Sequence, residues 1–256
     1  MTTHASFFNH GFSAGALTDI GQERRSNEDE VIVCPETGFF AVSDGMGGLL
    51  NGGKTSQLIQ QLLPGMVKEV SSALTKKSSP EQVAGLLAGQ IRLLSDTIYN
   101  SGNNGYRFEF GATLSGVWLI GSCAVFVNIG DSRGYLLSQN KKNIRQITRD
   151  HNEAAQLIQQ GEITKKGLRY RLASSVLTRF MGMKPPAMPE TFIEKVYPGD
   201  RILLCSDGLH GMMDDALFPS ILQSSDNPVQ VCERLVEKAN SLGGDDNIAV
   251  VLIKIE

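Results

Sequence analysis

Three apolar stretches of the chain each run into an aspartate that is followed by a small residue. They span residues 39–44, 125–131 and 202–207. A short apolar run bounded by turn residues is typical of a buried strand, so the pattern predicts strands that carry carboxylates at their ends. Two further acidic pairs, at residues 28–29 and 245–246, also lie beside apolar runs. If these ends converge, their side chains form a cluster of oxygen ligands for hard divalent cations.

The remaining pattern predicts helices around antiparallel strands. Residues 112–148 alternate short apolar runs with tight turns, which predicts an antiparallel meander because the connections are too short for crossover helices. Helices are predicted for residues 55–70, 80–99, 151–160 and 228–242. Two of them open with Ser79-Pro80 and Asn227-Pro228, each a capping residue and a proline followed by a glutamine at the third helical position. This arrangement predicts an α+β layered fold.

Composition limits the choice of partners. The chain has 256 residues, 41% of them hydrophobic, so it can bury a sizeable core, and without an evident linker we expect one domain over residues 1–256. The formal net charge of −3 gives no general attraction to nucleic acid or to an anionic membrane, and neither is expected as a partner. The uncharged segment 110–130 is interrupted by Ser-Gly and Gly-Ser pairs, which is typical of strand and turn and not of a membrane helix.

The cysteines point to a reducing compartment. Cys34, Cys123, Cys205 and Cys232 are scattered without C-x-x-C spacing, and we expect reduced, mostly buried thiols. The first residues lack the basic-then-apolar pattern of a secretory signal. A cytoplasmic location is therefore expected.

Short motifs follow one another along almost the whole chain. They are Arg24-x-x-Asn27-Glu28-Asp29, FAVSDGMGG at 40–48, GAT at 111–113, NIGDSR at 128–133, DHN at 150–152, CSDGL at 205–209 and G-x-D-N at 244–247. In this order they resemble the metal-dependent protein phosphatase family of the protein phosphatase 2C type, especially its compact bacterial members. The resemblance implies a four-layer α-β-β-α sandwich with two central antiparallel sheets and the hydrolysis of phosphoserine and phosphothreonine. It also implies phosphoprotein substrates, those of a cognate serine/threonine kinase.

The same resemblance implies two Mn²⁺ or Mg²⁺ ions between the sheets. Asp44 would bridge them. Asp207 and Asp246 would bind the first ion, and the Gly45 carbonyl, helped by Glu28, would bind the second.

Three more positions match functional positions of the family. Asp29 would hold metal-bound water, and Asp131 would help to bind a third, weaker metal ion. Arg24 would bind the substrate phosphate.

This chemistry also has a rationale of its own. Two cations about 3.5–4 Å apart can share a water, lower its pKa and direct the bridging hydroxide at phosphorus. Carboxylates suit such cations because Mn²⁺ and Mg²⁺ favour octahedral shells of oxygen. A guanidinium can bind two phosphate oxygens at once and stays charged.

The source of the leaving-group proton is a point of departure. Many eukaryotic relatives have a histidine directly after the Asp-Gly pair, whereas this chain has Met46. We expect metal-bound water to supply the proton. For His151 the simpler interpretation is a helix cap with an orienting contact.

Two alternative functions remain. Residues 48–55, GLLNGGKT, satisfy the phosphate-loop pattern between a predicted strand and a predicted helix, which would indicate a P-loop nucleotide hydrolase. That class has a parallel sheet, in contrast to the antiparallel meander. The role of Lys54 within this motif is open. A catalytically inactive relative that binds phosphoproteins is the other alternative, although every matched metal position is filled.

Residues 152–190 are expected to form a flap, the name used below. Its part 161–189 fits no regular element and carries six basic residues against the single acid Glu162. The basic side chains either attract an acidic phosphopeptide or form a solvated positive face. Both interpretations stay open at this point.

Overall fold

The computed structural model describes residues 3–9, 11–46, 52–75, 78–102, 111–139 and 143–256. Its strands are β1 Thr3–Asn9, β2 Phe12–Asp19, β3 Asp29–Cys34, β4 Phe39–Met46, β5 Gly111–Ala112, β6 Leu114–Ile120, β7 Cys123–Ile129, β8 Arg133–Leu137, β9 Arg145–Gln146, β10 Glu190–Lys195, β11 Arg201–Cys205 and β12 Ile248–Ile255. Its helices are α1 Gly52–Ala73, α2 Pro80–Gly102, α3 Glu153–Gln159, α4 Leu168–Ser174, α5 Asp207–His210, α6 Phe218–Leu222 and α7 Pro228–Ser241.

The four predicted helices are confirmed as α1, α2, α3 and α7, with small shifts at their ends. At the start of α2, the Ser79 amide donates to Gln82 Oε1 (2.9 Å) and the Gln82 amide donates to Ser79 Oγ (3.3 Å), which is the reciprocal cap that was predicted. At α7, Asn227 accepts from the Val229 amide (3.0 Å). The glutamine there, Gln230, accepts from a serine hydroxyl instead of closing a second reciprocal cap.

Two antiparallel sheets form the centre of the molecule. The first sheet has the order β1-β2-β12-β11-β8-β9, and the second has the order β10-β7-β6-β4-β3 with β5 beside the end of β4. Helices α1 and α2 pack on the second sheet, whereas α7 packs on the first. The α+β fold with helices outside two stacked antiparallel sheets is therefore confirmed.

The meander prediction is wrong at one point. Strands β6 and β7 form an antiparallel hairpin, but β8 belongs to the other sheet, where it pairs with β11 and β9. The chain crosses between the sheets at Gly130, whose φ of +104° is unfavourable for other residues. A Cβ at Gly130 would also lie 2.6 Å from the Thr113 side chain. A glycine corner is compatible with either path, so the local pattern could not tell a hairpin from a change of sheet.

Three layers of apolar side chains hold the sandwich together. Phe40, Phe126 and Ile202 are fully buried between the sheets. Leu63 of α1 lies in the layer on the second sheet, and Leu235 of α7 lies in the layer on the first. Burying one such side chain typically contributes about 1.5–3 kcal/mol, so these layers are the main source of stability.

The apolar run in β11 is uninterrupted because both of its faces are covered. Ile202 and Leu204 face the second sheet, whereas Leu203 and Cys205 face α7. Alternate residues of a strand point to opposite faces, so a central strand of this fold needs apolar residues at every position.

The flap contains α3 and α4, and the expectation of irregular chain over 161–189 is wrong for α4. The second half of the flap is hydrogen-bonded to the segment that precedes α3 and to β5. The Thr178 amide donates to the His151 carbonyl (2.8 Å), and Met181 and Ala112 exchange two backbone hydrogen bonds (2.8 and 3.3 Å). Ala112 also pairs with Gly45 across β5 and β4. The end of the flap is thus joined to the end of β4 through a two-residue strand.

Two expectations about the whole chain can be compared with the described residues. None of their helices combines the length and the apolar character that crossing a bilayer requires. The four cysteines are free thiols, of which Cys34, Cys205 and Cys232 are buried and Cys123 is partly exposed.

Candidate metal centre

Five aspartates lie where strands of both sheets begin or end. Asp29 opens β3 and is the direct cross-strand partner of Asp44 near the end of β4. Asp207 follows β11 and opens α5, and Asp246 precedes β12. Asp131 occupies the corner between β7 and β8. We call these five residues the acidic cluster.

Electrostatics show that these carboxyl groups are close to one another. Burial and the charges of Asp29 and Asp207 raise the pKa of Asp44 well above its usual range. Burial and the charge of Asp207 raise the pKa of Asp29 to about 8, although a hydrogen bond with Ser206 acts in the opposite direction. Burial and the charges of Asp207 and Asp150 raise the pKa of Asp131 to about 8. Carboxylates that destabilise one another in this way are stabilised by a bound cation.

The open oxygens of the cluster fit a metal ion. Asp29 Oδ2 and Asp207 Oδ1 are buried and have no hydrogen-bond partner in the described part of the chain. Buried polar atoms are normally satisfied, and oxygen ligands of this kind suit Mn²⁺ or Mg²⁺. Across the described ranges, no group of three or more His, Cys, Asp or Glu side chains is arranged to hold a metal ion by itself. Mg²⁺ sites in proteins commonly combine one or two carboxylates with retained water molecules.

Glu28 and Gly45 lie side by side at the edge of the cluster. The Gly45 amide donates to the Glu28 carbonyl (3.1 Å), and the Ser56 hydroxyl of α1 donates to the same carbonyl (2.5 Å). The Glu28 amide donates to Asn247 Oδ1 (2.9 Å). The backbone of Glu28 is thus held by both sheets and by α1, with its side chain half-buried.

Arg24 reaches the cluster from the loop between β2 and β3. Its Nη2 lies 2.6 Å from Asp246 Oδ2, and 53% of its side chain is exposed. Partial burial works against the charge of Arg24, but Asp246, Asp207 and Asp44 raise its pKa. The guanidinium is therefore a permanent cation at the solvent-facing rim of the cluster.

A buried ion pair supports the corner that carries Asp131. Arg133 binds Asp150 through Nε (2.9 and 3.1 Å) and Nη2 (2.6 Å), with both side chains nearly buried. Asn152 Nδ2 lies 3.4 Å from Asp131 Oδ2. Asn152 also caps α3 by accepting from the Ala155 amide (3.0 Å), so the predicted cap at this helix is Asn152 and not His151.

The two nearby histidines are bound to the same corner. His210 Nε2 lies 3.0 Å from the Asp131 carbonyl and must carry a hydrogen, since a carbonyl only accepts. His151 Nδ1 accepts from the Gly130 amide (3.2 Å), which is the expected orienting contact. Burial lowers the pKa of His210 to about 3 and also lowers the pKa of His151. Both imidazoles are neutral near pH 7.

A glycine allows the Asp207 and Asp246 segments to approach each other. A Cβ at Gly208 would overlap the Asn247 carbonyl oxygen. The two segments therefore come together only because position 208 lacks a side chain.

Several residues that support the acidic cluster lie within the sequence motifs, but no function could be assigned to them from the sequence. Thr113 Oγ1 accepts from the Asp44 amide (3.0 Å) and shares a 2.6 Å hydrogen bond with the Ser132 hydroxyl. Asn247 Nδ2 donates to the carbonyls of Ile20 and Ser26, both at 2.9 Å. The only local signal was their place beside the motif aspartates, since their partners lie far away along the chain.

The nucleotide-hydrolase alternative is not favoured. Strand β4, which precedes the GLLNGGKT motif, is antiparallel to β3, β5 and β6. Gly48 to Asn51 lie outside the described residues, and Lys54 is exposed on the first turn of α1. The phosphate-loop motif requires a parallel sheet with crossover helices, and the antiparallel neighbours of β4 do not provide one.

The chain is similar to known proteins in both sequence and fold. The family model for protein phosphatase 2C matches residues 22–240. The serine/threonine phosphatase stp of Listeria welshimeri is 33% identical over 241 residues, covering 93% of each chain. The structure of the S. agalactiae serine/threonine phosphatase superimposes with a TM-score of 0.82 at 26% identity, covering 96% of this chain and 100% of that one. The catalytic domain of the serine/threonine protein phosphatase PstP, in complex with 2 manganese ions, gives a TM-score of 0.76 at 27% identity, covering 96% of this chain and 98% of its own.

Proposed function

Because the chain belongs to the protein phosphatase 2C family and is a metal-dependent serine/threonine phosphatase acting on phosphoproteins, we propose that the acidic cluster is its active centre. The observation that carries the proposal is the convergence of five aspartates from both sheets, with open buried oxygens on Asp29 and Asp207. Buried carboxylates that repel one another are costly to ionise, and a bound metal ion lowers that cost.

We assign the metal ligands to Asp44 and the residues around it. Asp44 lies between the other acids and would bridge two ions, with Asp207 and Asp246 on the first. The Gly45 carbonyl and Glu28 would serve the second, and their mutual backbone hydrogen bond supports this pairing. The ions would be Mn²⁺ or Mg²⁺, because all assigned ligands are oxygen atoms.

Asp29 and Asp131 have accessory roles in this assignment. Asp29 faces Asp44 directly and would hold water within the site. Asp131 would form a third, weaker site together with Asp207, whose charge is the largest electrostatic contribution to the raised pKa of Asp131.

Arg24 would bind the substrate phosphate. Its exposed guanidinium at the rim of the cluster can pair with two phosphate oxygens and orient the phosphorus towards the acids. When bound, the divalent cations supply the charge that makes water nucleophilic near neutral pH.

The leaving alkoxide would take its proton from water in the site. Met46 has no proton to give, and the imidazoles of His151 and His210 are neutral and bonded to the Gly130–Asp131 corner. In each of the variants His151→Gln and His210→Gln, kcat should therefore change by the same factor for a phosphothreonine peptide as for an aryl phosphate. A selective loss of kcat for the peptide, whose leaving group is the more basic, would identify a histidine acid.

The proposal extends to the setting of the enzyme. Its substrates would be those of a cognate serine/threonine kinase, and the free cysteines support a reducing cytoplasm as its location. The layer of apolar side chains shared by both sheets supports one catalytic domain over residues 1–256, with the flap as a subdomain.

The decisive experiment measures turnover of an aryl phosphate and a phosphothreonine peptide with and without Mn²⁺. Turnover should require the metal and should fall at least about a hundredfold in Asp44→Asn and Asp246→Asn. Asp245→Asn, an exposed neighbour, and Lys54→Ala should leave it unchanged. Metal-independent turnover, or full activity in both cluster variants, would refute the assignment. Phosphopeptide binding without turnover would support the inactive relative.

A further inference from the structure

A cavity distinct from the acidic cluster lies beside the flap. Its volume is about 590 Å³, and its walls come from residues 146–152, from α3 and from flap residues that include Lys165 and Tyr170. This size lies in the range of small-ligand pockets. The cavity contains none of the five aspartates of the acidic cluster, but Asn152, which approaches Asp131, forms part of its wall. We call it the flap cavity.

Two buried polar atoms on its wall are open. The His151 side chain is 5% exposed, and because its Nδ1 accepts from the Gly130 amide, its Nε2 carries the hydrogen. Neither His151 Nε2 nor Glu190 Oε2 has a hydrogen-bond partner among the residues the structure describes, and the two atoms are 3.7 Å apart. That separation is too long for a direct hydrogen bond. A donor and an acceptor therefore stand side by side without partners.

The charge around these atoms is positive. Asp150 is neutralised by Arg133, and Glu190 Oε1 is paired with Arg179 at 3.2 Å. Lys165 and Arg149 line the cavity, are exposed, and form no ion pair within the described ranges. The cavity thus offers two cations without a carboxylate partner, Lys165 and Arg149, the latter 5.9 Å from the centre of the Phe192 ring. They lie near a buried N–H and a buried carboxylate oxygen that lack hydrogen-bond partners in the described residues.

We propose that the flap cavity binds a segment of the phosphoprotein substrate that carries an acidic side chain, with its carboxylate facing Lys165 and Arg149. The C=O and the N–H of one residue of that segment meet His151 and Glu190, because both groups of an extended residue point to the same side of the chain. A simple inorganic anion would bring a second negative charge against Glu190 and fits less well. This inference rests on the proposed function, since it adds a second anchoring point for the same substrate.

The test compares two phosphothreonine peptides that differ only in glutamate or glutamine at positions flanking the phosphate. The wild-type enzyme should prefer the acidic peptide in kcat/KM, and the double variant Arg149→Gln/Lys165→Gln should reduce that preference by about three- to fivefold through KM. The matched control is Lys166→Gln/Arg171→Gln, which removes the same charge from exposed flap residues that do not line the cavity. It should keep the preference.

Two further measurements separate this inference from the catalytic assignment. Aryl phosphate turnover should be unchanged in both double variants, since neither touches the acidic cluster. Fluorescence anisotropy with a labelled acidic peptide that has serine in place of phosphothreonine reports binding without catalysis, and the cavity variant should weaken it several-fold.

Three results would overturn the inference. The first is an equal loss of the preference for the acidic peptide in the control and cavity variants, which would indicate only a general positive surface. The second is a wild-type enzyme without that preference. The third is equal anisotropy of the labelled peptide with the wild type and both double variants. A wild-type protein that hydrolyses none of the phosphorylated substrates, but binds the acidic peptide more tightly than the cavity variant does, would contradict the catalytic proposal. The inference about the flap cavity would still be supported.

Discussion

Replacing Asp29 with asparagine tests the repulsion within the acidic cluster while keeping the shape of the side chain. Asp29 is 3% exposed, and burial together with the charges of Asp207 and Asp246 raises its pKa to about 8. A carboxyl with a higher pKa in the folded state binds its proton more tightly there. The stability of the metal-free protein therefore falls as the pH rises from the unfolded-state pKa towards the folded-state pKa.

The size of this effect depends on the two pKa values. With an unfolded-state pKa near 3.8, keeping Asp29 protonated costs the metal-free fold roughly 4 kcal/mol at pH 7 and roughly 2 kcal/mol at pH 5, because the unfolded chain releases that proton. Asparagine cannot ionise, so the variant avoids this cost. Since 1 kcal/mol corresponds to about 2–4 °C in a chain of this size, the metal-free variant should melt roughly 10 °C above the wild type at pH 7 and roughly 4 °C above it at pH 5.

The assay is thermal unfolding in EDTA, followed by circular dichroism at pH values from 5 to 8. Asp245→Asn is the control, because that side chain is exposed and should give no pH-dependent offset. Addition of Mn²⁺ should raise the melting temperature of the wild type more than that of Asp29→Asn, because the variant has one fewer negative charge in the cluster. The reasoning is refuted if the metal-free variant melts at or below the wild-type temperature at every pH, or if its offset is the same at pH 5 and pH 7.

Three other substitutions probe the support of the site. Arg24→Lys should lower kcat/KM for an aryl phosphate by about tenfold, since lysine cannot pair with two phosphate oxygens at once, and steady-state rates equal to wild type would contradict this role. Gly208→Ala should cost about 1–3 kcal/mol in urea unfolding because the added Cβ overlaps the Asn247 carbonyl, whereas an unchanged midpoint would mean that the two segments can separate freely. Thr113→Val should cost about 1–3 kcal/mol and weaken Mn²⁺ binding measured by calorimetry, because it leaves the Asp44 amide unpaired. Thr113→Ser keeps the hydroxyl and should lose much less, so equal losses in both would argue against the hydrogen bond.

The parts of the fold that depend on local pattern were predictable. The helices α1, α2 and α7 have amphipathic or capped sequences, and the cap at Ser79 forms as its four-residue pattern requires. The strands that run into aspartate were visible because both faces of β4, β7 and β11 are buried, which makes their apolar runs continuous.

The unpredicted features depend on residues that are far apart along the chain. The Asp44 amide meets a threonine 69 positions away, and the Glu28 amide meets an asparagine 219 positions away. No local periodicity reports such pairs. The Gly130 corner leads to the other sheet, where β8 pairs with β11, and that pairing is set by the assembled core and not by the local sequence. The proposed site residues were identified through ordered motifs, which carry long-range information without revealing the contacts.

The short strand β5 has a consequence for how relatives of this enzyme can diverge. Ala112 pairs with Gly45 on one side and with Met181 on the other. The flap segment that contains Met181 and the end of β4 are therefore both hydrogen-bonded to the same two-residue strand. Gly111 is also confined between the Phe180 ring and the Met46 side chain. Recombination that exchanges flaps between homologues would disrupt these contacts unless residues 111–112 are exchanged together with the flap. The flap and the Asp44-Gly45 segment are therefore inherited together at this junction, and a chimera has to place its crossover points outside β5.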